Sequence, residues 1–129
     1  MDPISWLVER EGNRREFIYR NYQCLILRHR ALGNLCGYIA LPPDHHLFGQ
    51  HYDTIESLYN YELPAHGGLT FSGEFENRYW IGFDCAHAGD YIPNSPINDD
   101  EDTYKNMNFV ETNLKEIVDF IESHETGNE

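Results

Sequence analysis

The stretch His66–Asp90 reads HGGLTFSGEFENRYWIGFDCAHAGD, and its middle decides the fold. Leu69–Phe75 and Tyr79–Asp84 are two short runs rich in aromatic residues, separated by Glu76-Asn77-Arg78. Aromatic and branched side chains suit a pleated surface, and Asn tolerates the left-handed backbone of a tight turn. The pattern predicts a β-hairpin. In an antiparallel pair, positions equidistant from the turn face each other. With the turn centred on Asn77, Thr70 lies opposite Asp84 and His66 lies near His87. One end of the sheet therefore gathers His66-Gly67-Gly68 with Asp84-Cys85-Ala86-His87-Ala88-Gly89-Asp90. Along the second strand, Trp80, Gly82 and Asp84 share one face, expected to look towards this cluster. Tyr79, Ile81 and Phe83 share the other, expected to be buried.

Upstream, Tyr22–Arg30 (YQCLILRHR) and Leu35–Leu41 (LCGYIAL) flank the turn residues Ala31-Leu32-Gly33-Asn34 and predict another hairpin, stopped by Pro42-Pro43. Ser5–Arg10 reads as a short strand closed by Glu11-Gly12-Asn13. Asp44–Tyr52 is a His-rich loop. Asp53–Tyr61 fits one short helix capped by Asp53, although its pattern is ambiguous. Cys85–Thr103 reads as a long loop holding the acidic run Asp99–Asp102. From Tyr104 to Ser123, Met107, Val110, Leu114, Ile117 and Ile121 recur at spacings of 3, 4, 3 and 4, one apolar stripe of an amphipathic helix. Thr103 or Asp102 is placed to cap it. The sum is an α+β domain over residues 1–123: a small, mainly antiparallel sheet of two hairpins, with a C-terminal helix packed on one face. Residues 124–129 read as a frayed tail.

The chain has 129 residues with a net charge of -13. Gripping nucleic-acid phosphates needs a basic surface, so direct nucleic-acid binding is not expected. No apolar run is long enough to span a bilayer, and the N-terminus lacks the pattern of a signal peptide. The three cysteines Cys24, Cys36 and Cys85 are widely spaced, which argues against a disulfide framework and against a thiolate zinc site. Charge is uneven. Residues 1–30 carry six arginines against four acids, a balance of +2; residues 31–129 carry three cations against 18 acids, a balance of -15. A basic segment on an acidic body predicts a homo-oligomer in which one copy's N-terminal region meets its neighbour's body.

The chemistry-bearing residues lie mostly in the cluster. His66, His87, Asp84 and Asp90 combine imidazole with carboxylate, which suits either a divalent metal or general acid–base work. Gly67 and Gly68 let a backbone approach a ligand closely, Thr70 adds a hydroxyl, and Phe71 and Trp80 offer stacking surface. Without a metal, the same groups could hold a small anionic or nucleotide-like ligand, with Arg28, Arg30 or Arg78 supplying positive charge. A plainer reading stands beside these: His-Gly-Gly is a turn into a strand, and Asp84 and His87 cap another turn. His46, beside His45 and near His51, marks a second, weaker group. No Walker loop, GxGxxG or nucleophile elbow is present.

The strings CGYIALPPDHHLFGQHYD, HGGLTFSG and YWIGFDCAHAGD closely resemble a family of small, uncharacterised bacteriophage and prophage proteins. The matching positions are Cys36-Gly37-Tyr38, His46, Gly49, Tyr52, His66–Thr70, Trp80, Gly82–Cys85, His87 and Asp90. Phe109-Val110-Glu111 stands where the family opens its C-terminal helix with Tyr. The resemblance spans about Tyr22 to Phe120; Ser5–Arg15 is less typical. It implies a phage origin and work in the cytoplasm of an infected bacterial host. Small acidic phage proteins often blunt host antiviral defence. The expected mode is sequestration of a small nucleotide-type signal, with His66, Gly67, Gly68, Thr70, Phe71, Trp80, Asp84, His87, Asp90, His46 and Arg28 as ligand-binding residues. A metal-dependent hydrolase built on His66, Asp84, His87 and Asp90 is one alternative. An acidic inhibitor that mimics nucleic acid is the other. Metal and cofactor are left open.

Overall fold

The computed structural model describes residues 3–126. In chain order the elements are α1 (Pro3–Glu11), β1 (Arg14–Tyr19), β2 (Tyr22–Arg28), β3 (Leu35–Leu41), α2 (Tyr52–Leu58), β4 (Phe71–Phe75), β5 (Arg78–Asp84) and α3 (Met107–Thr126). The five strands form one sheet in the order β1-β2-β3-β5-β4, with every neighbouring pair antiparallel. The fold is α+β, as the hydropathy pattern predicts.

Two of the hairpins close on two-residue turns. Tyr19 pairs with Tyr22 across Arg20-Asn21, and Phe75 pairs with Arg78 across Glu76-Asn77. All four turn residues have positive φ, between 49° and 70°. Positive φ at both central positions is the mark of a type I′ turn, whose twist matches that of the strands. The Asn in each pair tolerates this backbone well. The first of these hairpins was not expected. Its outer strand, RREFIY, alternates with only Phe17 and Tyr19 turned to the core, and Arg14, Glu16 and Ile18 outward.

Ser5–Arg10 is helical, not a strand. Ile4, Trp6 and Val8 alternate like strand residues, but Pro3 supplies a first-turn φ suited to a helix. Trp6 is half exposed and does not enter the core.

Helix α3 lies across the face of the sheet that carries Cys24, Ile26, Ile39, Ile81 and Phe83. Met107, Val110, Leu114, Ile117 and Ile121 are all buried there, with Val118 beside them. The helix comes in close over β3. A Cβ on Gly37 would stand 2.9 Å from both Phe83 and Val110, so only glycine fits the crossing. The cap differs from expectation. Asn106 Oδ1 accepts from the Phe109 amide at 2.8 Å, and Glu11 of α1 accepts from the Met107 amide at 2.8 Å. Thr103 instead forms a parallel bridge to Asp90. Helix α2 is likewise capped by His51, which accepts from Asp53, rather than by Asp53.

The opposite face of the sheet carries a smaller apolar group, in which Leu25, Ala40 and Trp80 lie beneath Leu27, Tyr38, Phe71 and Phe75. Residues 124–126 continue α3, and the rest of the expected tail lies outside the described residues. Among the described residues, no helix is long and apolar enough to cross a membrane.

Candidate functional site at the Asp84 end of the sheet

The two-residue turn at Glu76-Asn77 shifts the β4–β5 register by one residue from the expected one, so Phe71 faces Gly82. Thr70 still reaches Asp84: its hydroxyl donates to Asp84 Oδ2 at 2.8 Å. The predicted gathering of His66, Asp84, His87 and Asp90 at one end of the sheet holds. The two imidazole centroids are 5.9 Å apart, edge to face.

The segment from Pro64 to Leu69 that carries His66 is pinned by two buried polar side chains. Asn113 of α3 accepts from the His66 amide at 2.8 Å, and Glu56 of α2 accepts from the Leu69 amide at 2.7 Å. Neither was singled out from sequence. The available signal was an acid or amide set beside an apolar stripe, which is also a common surface pattern. Gly67 has φ +71°, and a Cβ on it would fall 2.4 Å from the His87 ring. The first glycine of His-Gly-Gly is therefore required by His87 packed against it.

The four titratable groups sort into two pairs. Asp90 is buried, and its carboxylate faces His66 Nε2 at 2.8 and 2.9 Å, the His87 amide at 2.9 Å and Lys105 Nζ at 3.0 Å. Burial opposes its ionisation, but the bonds from His87, His66 and Lys105 outweigh it, and the carboxyl is held below its ordinary value. An ionised Asp90 is an acceptor only, so His66 carries its proton on Nε2. His87 Nε2 lies 3.3 Å from Asp84 Oδ1, out of hydrogen-bond alignment. Asp84 Oδ1 also accepts from the Ala86 amide at 3.1 Å. Because each imidazole already faces one carboxylate, the set does not converge. Among the described residues, no three His, Cys, Asp or Glu side chains are grouped to hold a metal ion. A metal does not fit this arrangement.

Beside Asp84 opens a cleft of about 320 Å3, walled by Tyr38, Phe71 and Phe83 and edged by His29, Asn34 and Thr70. Its lining includes the Cys36 thiol, which burial and the Asp84 charge push up to about 11 against the opposing hydrogen bond of Tyr38. Asn34 is 2% exposed, and its Oδ1 has no hydrogen-bond partner among the described residues. His29 Nδ1 accepts from the amides of Ala31 and Leu32, so its N–H is on Nε2. A second cleft of about 370 Å3 adjoins through His29 and is lined by Arg28 and Arg30.

Three expected site residues lie elsewhere. Trp80 shares a sheet face with Asp84 but is buried, 17° from parallel over Phe75, and its indole donates to the Phe75 carbonyl. Core packing, not site access, sets its position. Arg28 is 7% exposed. It donates to the Gly12 and Gly33 carbonyls, to Asn13 and to Tyr104, and it faces Glu11 at 3.5 Å. Its guanidinium is committed to the fold. His46 is exposed and stacks on His45, which bonds to Tyr22 near Glu122 of α3. His66 packs on Phe109, near the start of the same helix. At 1.5 Å rise per residue, the two groups stand roughly 20 Å apart.

A larger cleft of about 630 Å3 opens at the other end of the sheet, where Ile18, Pro43, Phe48 and Arg78 line it. It contains no buried polar atom lacking a partner, so chemistry favours the Asp84 end. No family model, no curated protein and no solved structure matches the chain, so geometry carries the functional reading.

Proposed function

We propose that the chain is a phage-type accessory protein that counters host antiviral defence by binding and sequestering a small nucleotide-type signal at the Asp84 end of the sheet. One observation carries this reading. Asp84, which faces His87, lines a cleft that combines aromatic walls with the Thr70 hydroxyl, the mixture expected where a flat, polar ligand is held; His66, His87 and Asp90 stand outside that lining. The phage setting and the defence role come from the resemblance of the CGY, HGGLT and WIGFDCAH motifs.

The rival readings find less support. A metal-dependent hydrolase needs three or more converging ligands, and the His–Asp groups pair off instead. A nucleic-acid mimic needs carboxylates free to stand in for phosphates. In the acidic run, Asp99 and Asp102 are turned back on the backbone, accepting from the Glu101 and Asp99 amides. Self-association remains part of the proposal, although the electrostatic motive for it is largely met within one chain. Arg14, Arg15, Arg20 and Arg28 pair with Glu76, Glu111, Asp119 and Glu11.

The test is calorimetric titration with a panel of mononucleotides, cyclic mono- and dinucleotides and ADP-ribose, each with and without chelator. Binding of at least one member, unchanged by chelator and weakened about tenfold or more by Asp84→Ala, is expected. Failure of the whole panel to bind sinks the reading.

A further inference from the structure

We infer that the free edge of β1 pairs, antiparallel, with the same edge of a second copy, and that Phe17 meets its own counterpart on the two-fold axis. This contact gives the self-association proposed above a surface, and it stands or falls without the ligand.

β1 and β4 are the two edges of the sheet. The pairing of β1 shows which of its backbone groups are unspent. The Arg28 amide donates to the Asn13 carbonyl at 3.0 Å, and the register runs on through Arg15↔Ile26 and Phe17↔Cys24. In an antiparallel ladder only alternate residues bond to a given neighbour. Asn13, Arg15, Phe17 and Tyr19 therefore turn their N–H and C=O groups towards β2, and Glu16 and Ile18 turn theirs away from the sheet. Among the described residues, no backbone hydrogen bond reaches these outward groups. Such an edge is a template for another strand unless it is guarded. Ile18 does the opposite of guarding: it is 69% exposed, the only exposed large apolar side chain on a strand among the described residues. β4 is a poorer template, one residue shorter and with Gly73 at its centre.

The sequence of β1 selects the register. A two-fold axis through the sheet keeps each face on its own side, so outward-bonding residues must meet outward-bonding residues. Two such registers pair five of the six residues of β1, either Arg14–Ile18 or Arg15–Tyr19. The first sets Glu16 on Glu16 of the second copy, and like charges directly opposite are unfavourable. The second sets Phe17 on Phe17, Glu16 on Ile18 and Arg15 on Tyr19, with no like charges opposed. Each Glu16–Ile18 pair then exchanges the unspent N–H and C=O groups. The two Phe17 rings meet on the face that α3 covers, where one chain alone leaves Phe17 partly buried. An interface of this size is small, so a reversible dimer is expected, not an obligate one.

The experiment is sedimentation equilibrium on the full chain without nucleotide, from about 10 µM to about 1 mM, the range in which a small interface fills. Salt at about 0.15 M screens the repulsion between two acidic chains. Ile18→Lys and Ile18→Glu are run alongside; an exposed position tolerates both. Wild type is expected to approach a dimer as concentration rises. Ile18→Lys sets an ammonium opposite Glu16 and keeps the dimer, whereas Ile18→Glu sets a carboxylate there and dimerises about tenfold or more weakly than Ile18→Lys. Hydrogen exchange over the same range reads the backbone. The Glu16 and Ile18 amides are expected to slow about tenfold at the top of the range, and those of Arg15 and Phe17, already bonded to β2, to stay as they are. A wild-type chain that remains monomeric throughout overturns the proposal. So does a dimer no weaker in Ile18→Glu than in Ile18→Lys, or one in which the Glu16 and Ile18 amides exchange as fast as in the monomer. The amide readout decides the matter in wild type even where a variant misfolds. Any of these failures leaves the nucleotide reading standing, because the test contains no ligand, and failure of the nucleotide panel leaves this contact standing.

Discussion

Gly67 and Asp90 fix the two histidines in different ways. Gly67 leaves space: His87 occupies the volume that a side chain at 67 would take. Gly67→Ala is expected to push the His87 ring off Asp84 and, with φ at +71°, to cost about 1–3 kcal/mol in backbone strain. A shifted His87 imidazole resonance, with the sheet's amide spectrum otherwise preserved, checks it. Asp90 acts by charge. Its folded-state pKa lies below its unfolded value, so its contribution is complete above the ordinary carboxyl range, near about 3.9, and is lost as pH falls through the folded value. Asp90→Asn is expected to cost about 3 kcal/mol at neutral pH, as for a buried charge partner removed. The gap between wild type and variant should close in urea melts at progressively lower pH. The His–Asp gathering was legible in sequence because hairpin pairing joins residues equidistant from a turn, and one register step does not separate them. Asn34 was not legible as a lining residue of the cleft: Asn in a turn is ordinary, and only its burial marks it.

Helix α3 was readable because a stripe at spacings of 3 and 4 repeats over four turns, and each of its residues is buried. Its start was not, because half of its cap comes from α1. Glu11 accepts from the Met107 amide, faces Arg28 and accepts from the Tyr104 hydroxyl at 2.6 Å. No pattern local to residues 102–107 could reveal a partner ninety-six positions away. Glu11→Ala is expected to destabilise the protein by about 3 kcal/mol, combining a lost cap with an abandoned buried guanidinium. Glu11→Gln, which keeps an acceptor, should lose less; chemical denaturation of the pair measures the difference. Strand β1 was missed for a related reason. Its inward residues are only partly covered, so its alternation is faint, and the turn that closes it uses Arg-Asn rather than a glycine pair.

Across the whole molecule, Arg14, Arg15, Arg20 and Arg28 of the +2 segment find acidic partners within the chain. The N-terminal arginines reach the β4–β5 turn, α3 and each other's neighbours, mostly at exposed sites where an ion pair contributes about 0–1 kcal/mol. The cysteines form no disulfide, and burial drives all three thiols upward, Cys24 to about 12 and Cys36 to about 11. Since the thiolate is the reactive form, the native protein should resist an aromatic disulfide reagent at pH 8 and release three thiols only in denaturant. Rapid reaction of the native chain would refute this. The position of α3 has a further consequence for biosynthesis. A ribosome releases the sheet before the helix that covers it, so Cys24, Ile26, Ile39, Ile81 and Phe83 all emerge with nothing to pack against. Glu11 must wait for Met107, made ninety-six residues after it, before the two ends of the fold lock together. Native structure therefore waits for α3, and a nascent polypeptide halted before residue 107 would be a natural client for a chaperone that recognises exposed apolar strands.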